Sequence, residues 1–196
     1  MKNAEIELKT HVDNPDDCKK KLSALAGKGT VFSKDDTYWD GRNFSGLRVR
    51  RETAGEESGH IWVTWKNKER RGSLEVNDEH EFEVSDGTGF EELLTLLGLE
   101  KRIRKHKQGW IWHYRGITAE LCEVSGSEES ADFKNLGWFL ELEIKHGPPP
   151  ENSGKTVEAA QEQLLALLEK TGIGKECIES RYYAELFAEL TTPQHE

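Results

Sequence analysis

The sequence predicts an α+β domain in which about eight antiparallel strands form a closed β-barrel around a polar tunnel, with several helices flanking it. Three observations predict this class. Short segments alternate apolar and polar residues, helix-period segments separate groups of these strands, and the polar face of an individual strand often carries charges of one sign. Because ordinary surface strands mix polar residue types on their outer face, such segregation suits a barrel with a polar interior.

The predicted strands are short and bounded by Gly, Asn or Asp. Residues 4–10 alternate strictly, with Ile6 and Leu8 on one face and charged residues on the other, which is the period of a strand. The further strands are expected at residues 30–40, 46–53, 60–67, 79–85, 101–107, 109–115, 117–125 and 137–146.

Helix signals separate these strands. Asn14 as N-cap and Pro15 at the first helical position begin a short helix that ends near Gly27. A second helix ends at Gly98, where glycine is the expected C-terminal residue. Two more helices are expected near the C-terminus, one beginning at Ser153 or Thr156 and one covering about 178–190.

Length and charge limit the organisation of the chain and its partners. The 196 residues predict one domain at 1–190 and a short tail at 191–196, and the net charge of −10 argues against extended nucleic acid and anionic membranes as partners. Three cysteines without C-x-x-C spacing favour a reducing compartment. The polar N-terminus and the absence of a long apolar run predict a cytoplasmic protein without a membrane span.

Two strands share an acidic pattern, glutamate-apolar-glutamate-apolar-lysine, at residues 5–9 and 141–145. Carboxylates at positions i and i+2 project to the same side of a strand, roughly 7 Å apart. This spacing suits one or two hard divalent ions better than tetrahedral zinc, so we expect Mg²⁺ or Mn²⁺ with water and substrate phosphates completing the coordination. The four carboxylates are Glu5, Glu7, Glu141 and Glu143.

Six motif segments follow one another in order between residue 5 and about residue 145. The first is the E-x-E-x-K strand, and the others are Tyr38-Trp39-Asp40 with Leu47-Arg48-Val49-Arg50, Thr64-Trp65-Lys66, Glu81-Phe82-Glu83-Val84, Arg102-Ile103-Arg104, and Leu136-Gly137-Trp138-Phe139-Leu140-Glu141-Leu142-Glu143. Together they resemble the CYTH, or triphosphate tunnel metalloenzyme, superfamily. Residues 179–186 also resemble the C-terminal ending of its class IV adenylyl cyclase branch.

The resemblance implies an enzyme that holds a triphosphate and a divalent metal in its tunnel and cleaves a phosphoanhydride bond. Basic side chains would neutralise phosphate oxygens, and the four carboxylates would hold the metal. The substrate-binding candidates are Lys9, Arg48, Arg50, Lys66, Arg102 and Arg104. The catalytic candidates are Lys9, Glu81 and Glu83, of which the two glutamates would bind a second metal, position water or pair with neighbouring arginines.

One position departs from the family pattern. Where the family usually has an aspartate, in the strand before the last carboxylate pair, this chain has Cys122, which is a poor ligand for a hard ion. Glu120 shares the strand parity of Cys122 and is the candidate that would replace the missing ligand.

Three functions remain compatible with this site. The first is conversion of ATP to cyclic AMP and pyrophosphate, favoured by chain length and the C-terminal segment; the second is hydrolysis of tripolyphosphate or thiamine triphosphate. The third is a module that binds polyphosphate or nucleotide without turnover. The binding module is disfavoured because four inward carboxylates would repel a polyanion unless a metal intervened. The resemblance is also compatible with a homodimer.

Overall fold

A computed structural model describes residues 3–56, 59–128, 132–146 and 153–191. Eight strands and four α-helices are present in these ranges. The strands are β1 Asn3–His11, β2 Thr30–Gly41, β3 Phe44–Ala54, β4 His60–Arg71, β5 Leu74–Glu83, β6 Glu100–Tyr114, β7 Ile117–Glu128 and β8 Lys134–His146. The helices are α1 Pro15–Ala26, α2 Gly87–Leu96, α3 Ser153–Thr171 and α4 Tyr183–Thr191.

The strands form one curled antiparallel sheet in the order β1-β5-β4-β3-β2-β6-β7-β8. The order closes because β1 pairs with β5 along one edge and with β8 along the other. All the strand pairs are antiparallel, and most of them connect neighbours in the chain. The α+β class with a curled antiparallel sheet and flanking helices is therefore confirmed.

The main apolar core lies outside the barrel, between the sheet and the helices α1 and α3. Leu8 of β1, Leu142 of β8 and Trp112 of β6 pack there against Leu22 of α1 and Leu164 of α3. A second apolar cluster joins α2 to strands β2, β3 and β4 on another side. Because side chains alternate between the two faces of a strand, helices that cover the outer face leave the polar residues to fill the interior.

The C-terminal segment returns to the barrel. Ile178 forms an isolated bridge with Thr10, and the Glu179 amide donates to the Lys9 carbonyl at 2.8 Å. Helix α4 then packs Phe187 over Gly126 of β7, where a Cβ atom would lie 2.5 Å from the phenyl ring. A glycine at this position therefore makes room for the helix at the barrel wall.

Most predicted elements are present with shifted boundaries. The two strands predicted at 101–107 and 109–115 form the single strand β6, which ends at Tyr114, because Gly109 continues the ladder between β2 and β7. Strand β5 begins at Leu74, five residues before the predicted start. Asn14 caps α1 by accepting from the Asp17 amide at 3.1 Å.

The structure describes only part of each end of the predicted domain. Helix α3 begins at Ser153, one of the two predicted starts, while α4 begins at Tyr183 and follows a short 3₁₀ helix at Lys175–Cys177. Residues 192–196 of the predicted tail lie outside the described residues, and the domain boundary stays a prediction. Within the described part of the chain, no helix combines the length and apolar character needed to cross a membrane.

Candidate active site

A cavity of about 570 Å³ occupies the barrel interior. Nine basic and ten acidic residues of the described chain line it, so both charge signs are concentrated in one small volume. The basic residues are Lys9, Lys34, Arg48, Arg50, Lys66, Arg102, Lys105, Lys107 and Lys145. The acidic residues are Glu5, Glu7, Asp40, Glu52, Glu75, Glu79, Glu81, Glu120, Glu141 and Glu143.

The four predicted metal carboxylates lie side by side on adjacent strands. In the antiparallel register of β1 and β8, Glu7 is opposite Glu143, and Lys9 is opposite Glu141. Glu5 lies one step further along the interior face of β1 and is opposite Lys145. The two E-x-E-x-K strands therefore meet in a reciprocal pairing, which the shared sequence pattern did not itself show.

Two of these carboxylates favour the protonated state. Burial, followed by the neighbouring charges of Glu141 and Glu75, raises the pKa of Glu7 to about 7. Burial and the nearby Glu5 carboxylate raise the pKa of Glu143 to about 9. In addition, the buried Glu143 Oε1 has no hydrogen-bond partner among the described residues, and Lys145 Nζ lies 3.6 Å from it. Glu7 and Glu143 thus have too little positive charge around them to favour their ionised forms.

The same residues fit a divalent cation. Hard oxygen ligands suit Mg²⁺ or Mn²⁺, and a cation beside Glu7 and Glu143 would favour their ionised forms. Among the described residues, no three His, Cys, Asp or Glu side chains are already grouped as a ligand set. Glu5 and Glu141 instead form ion pairs with Lys66 and Lys107, so the ligand set would form when the metal replaces those two lysines.

Three lysines neutralise carboxylates of the cavity. Lys66 forms an ion pair with Glu5, and Lys107 forms one with Glu141. Burial alone would raise the pKa values of the two glutamates. The paired lysines instead lower the pKa of Glu5 to about 2 and that of Glu141 below its usual range. Lys34 Nζ lies 2.5 Å from Glu120 Oε1, and this contact holds the pKa of the buried Glu120 below its usual range.

Arg48 and Glu81 belong to a further network on β3, β4 and β5. Arg48 Nη2 donates to the Thr64 hydroxyl at 3.0 Å, and this hydroxyl donates to Glu81 Oε2 at 2.8 Å. Arg48 Nη2 also lies 3.5 Å from carboxylate oxygens of Glu79 and Glu81. Thr64 is fully buried, so it fixes the relative positions of one predicted phosphate-binding residue and one predicted catalytic carboxylate.

Lys9 and Tyr183 connect β1 to the C-terminal helix. Lys9 Nζ donates to the Arg181 carbonyl at 2.7 Å and lies 3.5 Å from Glu75 Oε1. The Tyr183 hydroxyl donates to Glu141 Oε1 at 2.6 Å, and its ring centroid is 4.4 Å from Lys9 Nζ. A residue near the C-terminus therefore contacts both a predicted metal ligand and a predicted catalytic lysine.

Two predicted site residues are not in the cavity lining. The register between β2 and β6 pairs Tyr38 with Ile103 but Trp39 with Lys101, which leaves Arg102 as the extra residue of a bulge. Beyond the bulge, residues of odd number face the interior, and Arg104 instead lies beside the ring of Phe133 at 5.3 Å. The prediction that Arg104 points into the tunnel is therefore wrong.

Glu83 is the second correction. It is the last residue of β5, and its side chain is 51% exposed. Its carboxylate lies 2.6 Å from His60 Nδ1 at the edge of the sheet, whereas Glu81, two residues earlier, lines the cavity. Because the strand ends there, the alternation that places Glu81 inside does not carry Glu83 into the cavity.

Cys122 lies in an apolar layer of the barrel interior. It is completely buried among Phe32, Val124 and Phe139, and Phe187 of α4 belongs to the same cluster. Burial raises the pKa of the Cys122 thiol, so the thiol stays protonated and is not available as a thiolate nucleophile or ligand. Glu120 lies one step along the same face and does line the cavity, with Lys34 as its partner.

Sequence reasoning missed several charged residues that line the cavity. The main examples are Lys34, Lys105, Lys107, Glu75 and Glu79. Alternation within residues 103–111 could have indicated Lys105 and Lys107, but only if the bulge at Arg102 were known. Glu75 lies before the predicted start of its strand.

Comparison with known proteins decides the family. The model of the CYTH domain matches residues 3–183, which is nearly the whole chain. The chain belongs to the CYTH family. A comparison with curated proteins found no significant match.

Solved structures share the fold of this chain over nearly its whole length. PH1012 from Pyrococcus horikoshii OT3 is 27% identical, with 93% of this chain and 98% of that chain covered and a TM-score of 0.68. A Vibrio parahaemolyticus protein named as an adenylate cyclase candidate is 16% identical, with coverages of 96% and 99% and a TM-score of 0.68. HpAC1 from Hippeastrum, for which a dominant triphosphatase activity is described, is 16% identical, with coverages of 99% and 100% and a TM-score of 0.56.

Proposed function

We propose that this CYTH protein is a divalent-metal-dependent enzyme that hydrolyses a phosphoanhydride bond of a small triphosphate inside the barrel. The observation that carries the proposal is the lining of nine basic and ten acidic residues. The basic residues are more numerous than a metal site requires, and the carboxylates would repel a polyanion in the absence of a metal. A metal-chelated polyphosphate satisfies both sets of charges.

The residues divide into groups by chemistry. Glu5, Glu7, Glu141 and Glu143 would hold Mg²⁺ or Mn²⁺, which when bound neutralises phosphate oxygens and orients the attacking water. The basic residues around the cavity bind the phosphates through charge-assisted hydrogen bonds. Glu81 of β5, which accepts a hydrogen bond from Thr64, is the carboxylate assigned to positioning water.

Cyclisation of ATP is the second candidate. Trp62 and Tyr38 belong to the cavity lining and offer aromatic surface for a nucleobase, which supports this reaction. The C-terminal segment, which favoured the cyclase at the level of sequence, places Tyr183 against Glu141 and Lys9. That contact serves either reaction, so it no longer distinguishes them. Hydrolysis is the first candidate because it needs only a bound triphosphate and water, whereas cyclisation also needs a nucleobase and ribose held in place.

The test is incubation of purified protein with Mg²⁺ or Mn²⁺ and, separately, tripolyphosphate, thiamine triphosphate and ATP. Orthophosphate release that requires the metal is the expected result. Cyclic AMP with pyrophosphate from ATP, without orthophosphate from tripolyphosphate, would select the cyclase instead. Tight binding of tripolyphosphate without turnover of any substrate would leave a binding module.

A further inference from the structure

Asp36 on β2 differs from the carboxylates that line the cavity. Its side chain is completely buried, with 0% exposure, and it is absent from the lining formed by the described residues. Lys34 and Tyr38, two positions away on either side, do line the cavity. Because residues two apart share a strand face, Asp36 points inward but lies behind the side chains that border the open volume.

The partners of Asp36 come from both neighbouring strands. Arg50 of β3 donates from Nε to Oδ1 at 2.6 Å and from Nη2 to Oδ2 at 3.0 Å. Lys105 of β6 places Nζ 3.1 Å from Oδ2 and also donates to the Tyr38 hydroxyl at 3.0 Å. In the sheet register Asp36 is opposite both Arg50 and Lys105, so one carboxylate joins two cations across three strands.

Both cations reach the cavity, whereas Asp36 does not. A carboxylate without access to the open volume cannot ligate a metal there or touch a bound phosphate. It can fix the cations that do. An arginine held through Nε and Nη2 has a defined orientation of its guanidinium plane, and a lysine on its flexible stem needs such a partner to occupy one position.

We propose that Asp36 is a positioning residue that holds Arg50 and Lys105 in the orientation in which they contact the bound triphosphate. This inference rests on the proposed function. Without the carboxylate, two buried cations would face each other, and Lys105 would be free to turn towards Glu141, whose pKa its charge already lowers. Substrate binding by charge would persist, while the alignment needed in the transition state would be lost.

The chain offers a matched control one residue away. Asp35 has the same charge, but its carboxylate is 65% exposed and lies 2.8 Å from His106 Nδ1. The experiment compares Asp36→Asn, Asp36→Glu and Asp35→Asn with the wild type. Turnover of tripolyphosphate, thiamine triphosphate and ATP is measured with Mg²⁺ or Mn²⁺ and normalised to the folded fraction obtained from circular dichroism and thermal unfolding.

In Asp36→Asn we expect kcat per folded molecule to fall by about ten- to hundredfold, because misplaced cations align the substrate poorly. KM should change by less than about threefold, because the variant gains positive charge beside the cavity and keeps its attraction for an anion. Asp36→Glu should recover part of kcat, since it restores the charge with a carboxylate displaced by one methylene. Asp35→Asn should match the wild type.

Several results would overturn the inference. A purely structural role for Asp36 would reduce the folded fraction of Asp36→Asn but leave kcat per folded molecule at the wild-type level. A loss of kcat equal to that of Asp35→Asn would also contradict it. If Asp36→Asn does not fold, Asp36→Glu decides, and a wild-type kcat in that variant excludes positioning. Failure of the wild type to cleave any triphosphate would instead overturn the proposed function and this inference together.

Discussion

The Tyr183 hydroxyl donates a hydrogen bond of 2.6 Å to Glu141 Oε1, across 42 residues of sequence. The tyrosine ring lies 4.8 Å from Lys105 Nζ as well as near Lys9, so the first residue of α4 lies among the cations of the cavity. Helix α4 therefore contributes to the candidate site directly, and its hydrogen bond to Glu141 would compete with a metal proposed to bind the same oxygen.

We expect Tyr183→Phe to lower the metal concentration needed for half-maximal activity by about two- to tenfold, because one hydrogen bond of roughly 0.5–1.5 kcal/mol no longer competes for Glu141. The measurement is a Mg²⁺ and Mn²⁺ titration of turnover. Tyr114→Phe is the control, since its hydroxyl accepts from Lys170 Nζ at 3.3 Å outside the cavity lining. An unchanged or weaker metal requirement would contradict the expected competition.

The double variant Glu5→Gln/Glu7→Gln should abolish metal-dependent turnover while the protein stays folded. Loss of two carboxylates removes half of the proposed ligand set. Relief of repulsion around Glu7 favours the metal-free fold and offsets part of the cost of breaking the ion pair between Glu5 and Lys66. Turnover and thermal unfolding are measured in parallel, with Glu158→Gln on the exposed surface of α3 as the control. Activity close to that of the wild type in the double variant would refute the metal assignment.

Neighbouring residues on opposite faces of β6 give a matched pair of basic variants. We expect Lys105→Ala to raise KM for a triphosphate by about tenfold, because a charge-assisted hydrogen bond contributes roughly 1.5–3 kcal/mol. Arg104→Ala removes the same charge on the outer face and should keep KM within twofold of the wild-type value. The measurement is steady-state kinetics at fixed ionic strength. Equal changes in KM in the two variants would show that Lys105 does not bind the substrate from the interior face of β6.

The raised pKa values of Glu7 and Glu143 predict how the metal-free protein responds to pH. In the unfolded chain both carboxyls lose their protons near pH 4.5, whereas in the folded protein Glu7 keeps its proton until about pH 7 and Glu143 until about pH 9. The free energy of unfolding therefore falls as pH rises from 4.5 to about 9. In EDTA, Glu143→Gln should therefore have a higher Tm than the wild type at pH 8.5 and a smaller difference at pH 5. Each kcal/mol corresponds to roughly 2–4 °C for a chain of this size.

A control variant for the pH experiment carries its substitution on the exposed surface of α3. Glu158→Gln should follow the wild-type pH dependence, because its side chain is exposed on α3. A wild-type Tm that stays level between pH 5 and pH 8.5 in EDTA, with no gain in Glu143→Gln, would show that Glu143 ionises normally in the folded protein.

Glu120 can be tested as an ion-pair partner or as a metal ligand. We expect Glu120→Gln to destabilise the protein by about 1–3 kcal/mol, because Lys34 Nζ loses its buried partner at 2.5 Å. The metal requirement should stay within twofold of that of the wild type. Thermal unfolding and a metal titration are compared with Glu123→Gln, whose carboxylate bonds to Asn135 on the outer face. A tenfold weaker metal requirement with unchanged Tm would make Glu120 a ligand.

Local alternation was enough to predict much of this protein. Two E-x-E-x-K strands, read by parity alone, placed four carboxylates on interior faces, and all four line the cavity. The same rule placed Arg48, Arg50 and Lys66 inside. It worked because side-chain direction along an uninterrupted strand depends only on position within that strand.

Tertiary structure decided the rest through four features, most of which depend on partners that are distant in the chain. A bulge against β2 turned Arg104 outward and brought Lys105 and Lys107 inward, and the end of β5 released Glu83 to the edge. Sheet closure set Glu7 opposite Glu143, and α4 brought Tyr183 to Glu141. The sequence by itself thus determined the residue types and faces of the site, whereas register, closure and helix docking determined which charges meet, because those depend on long-range pairing rather than local period.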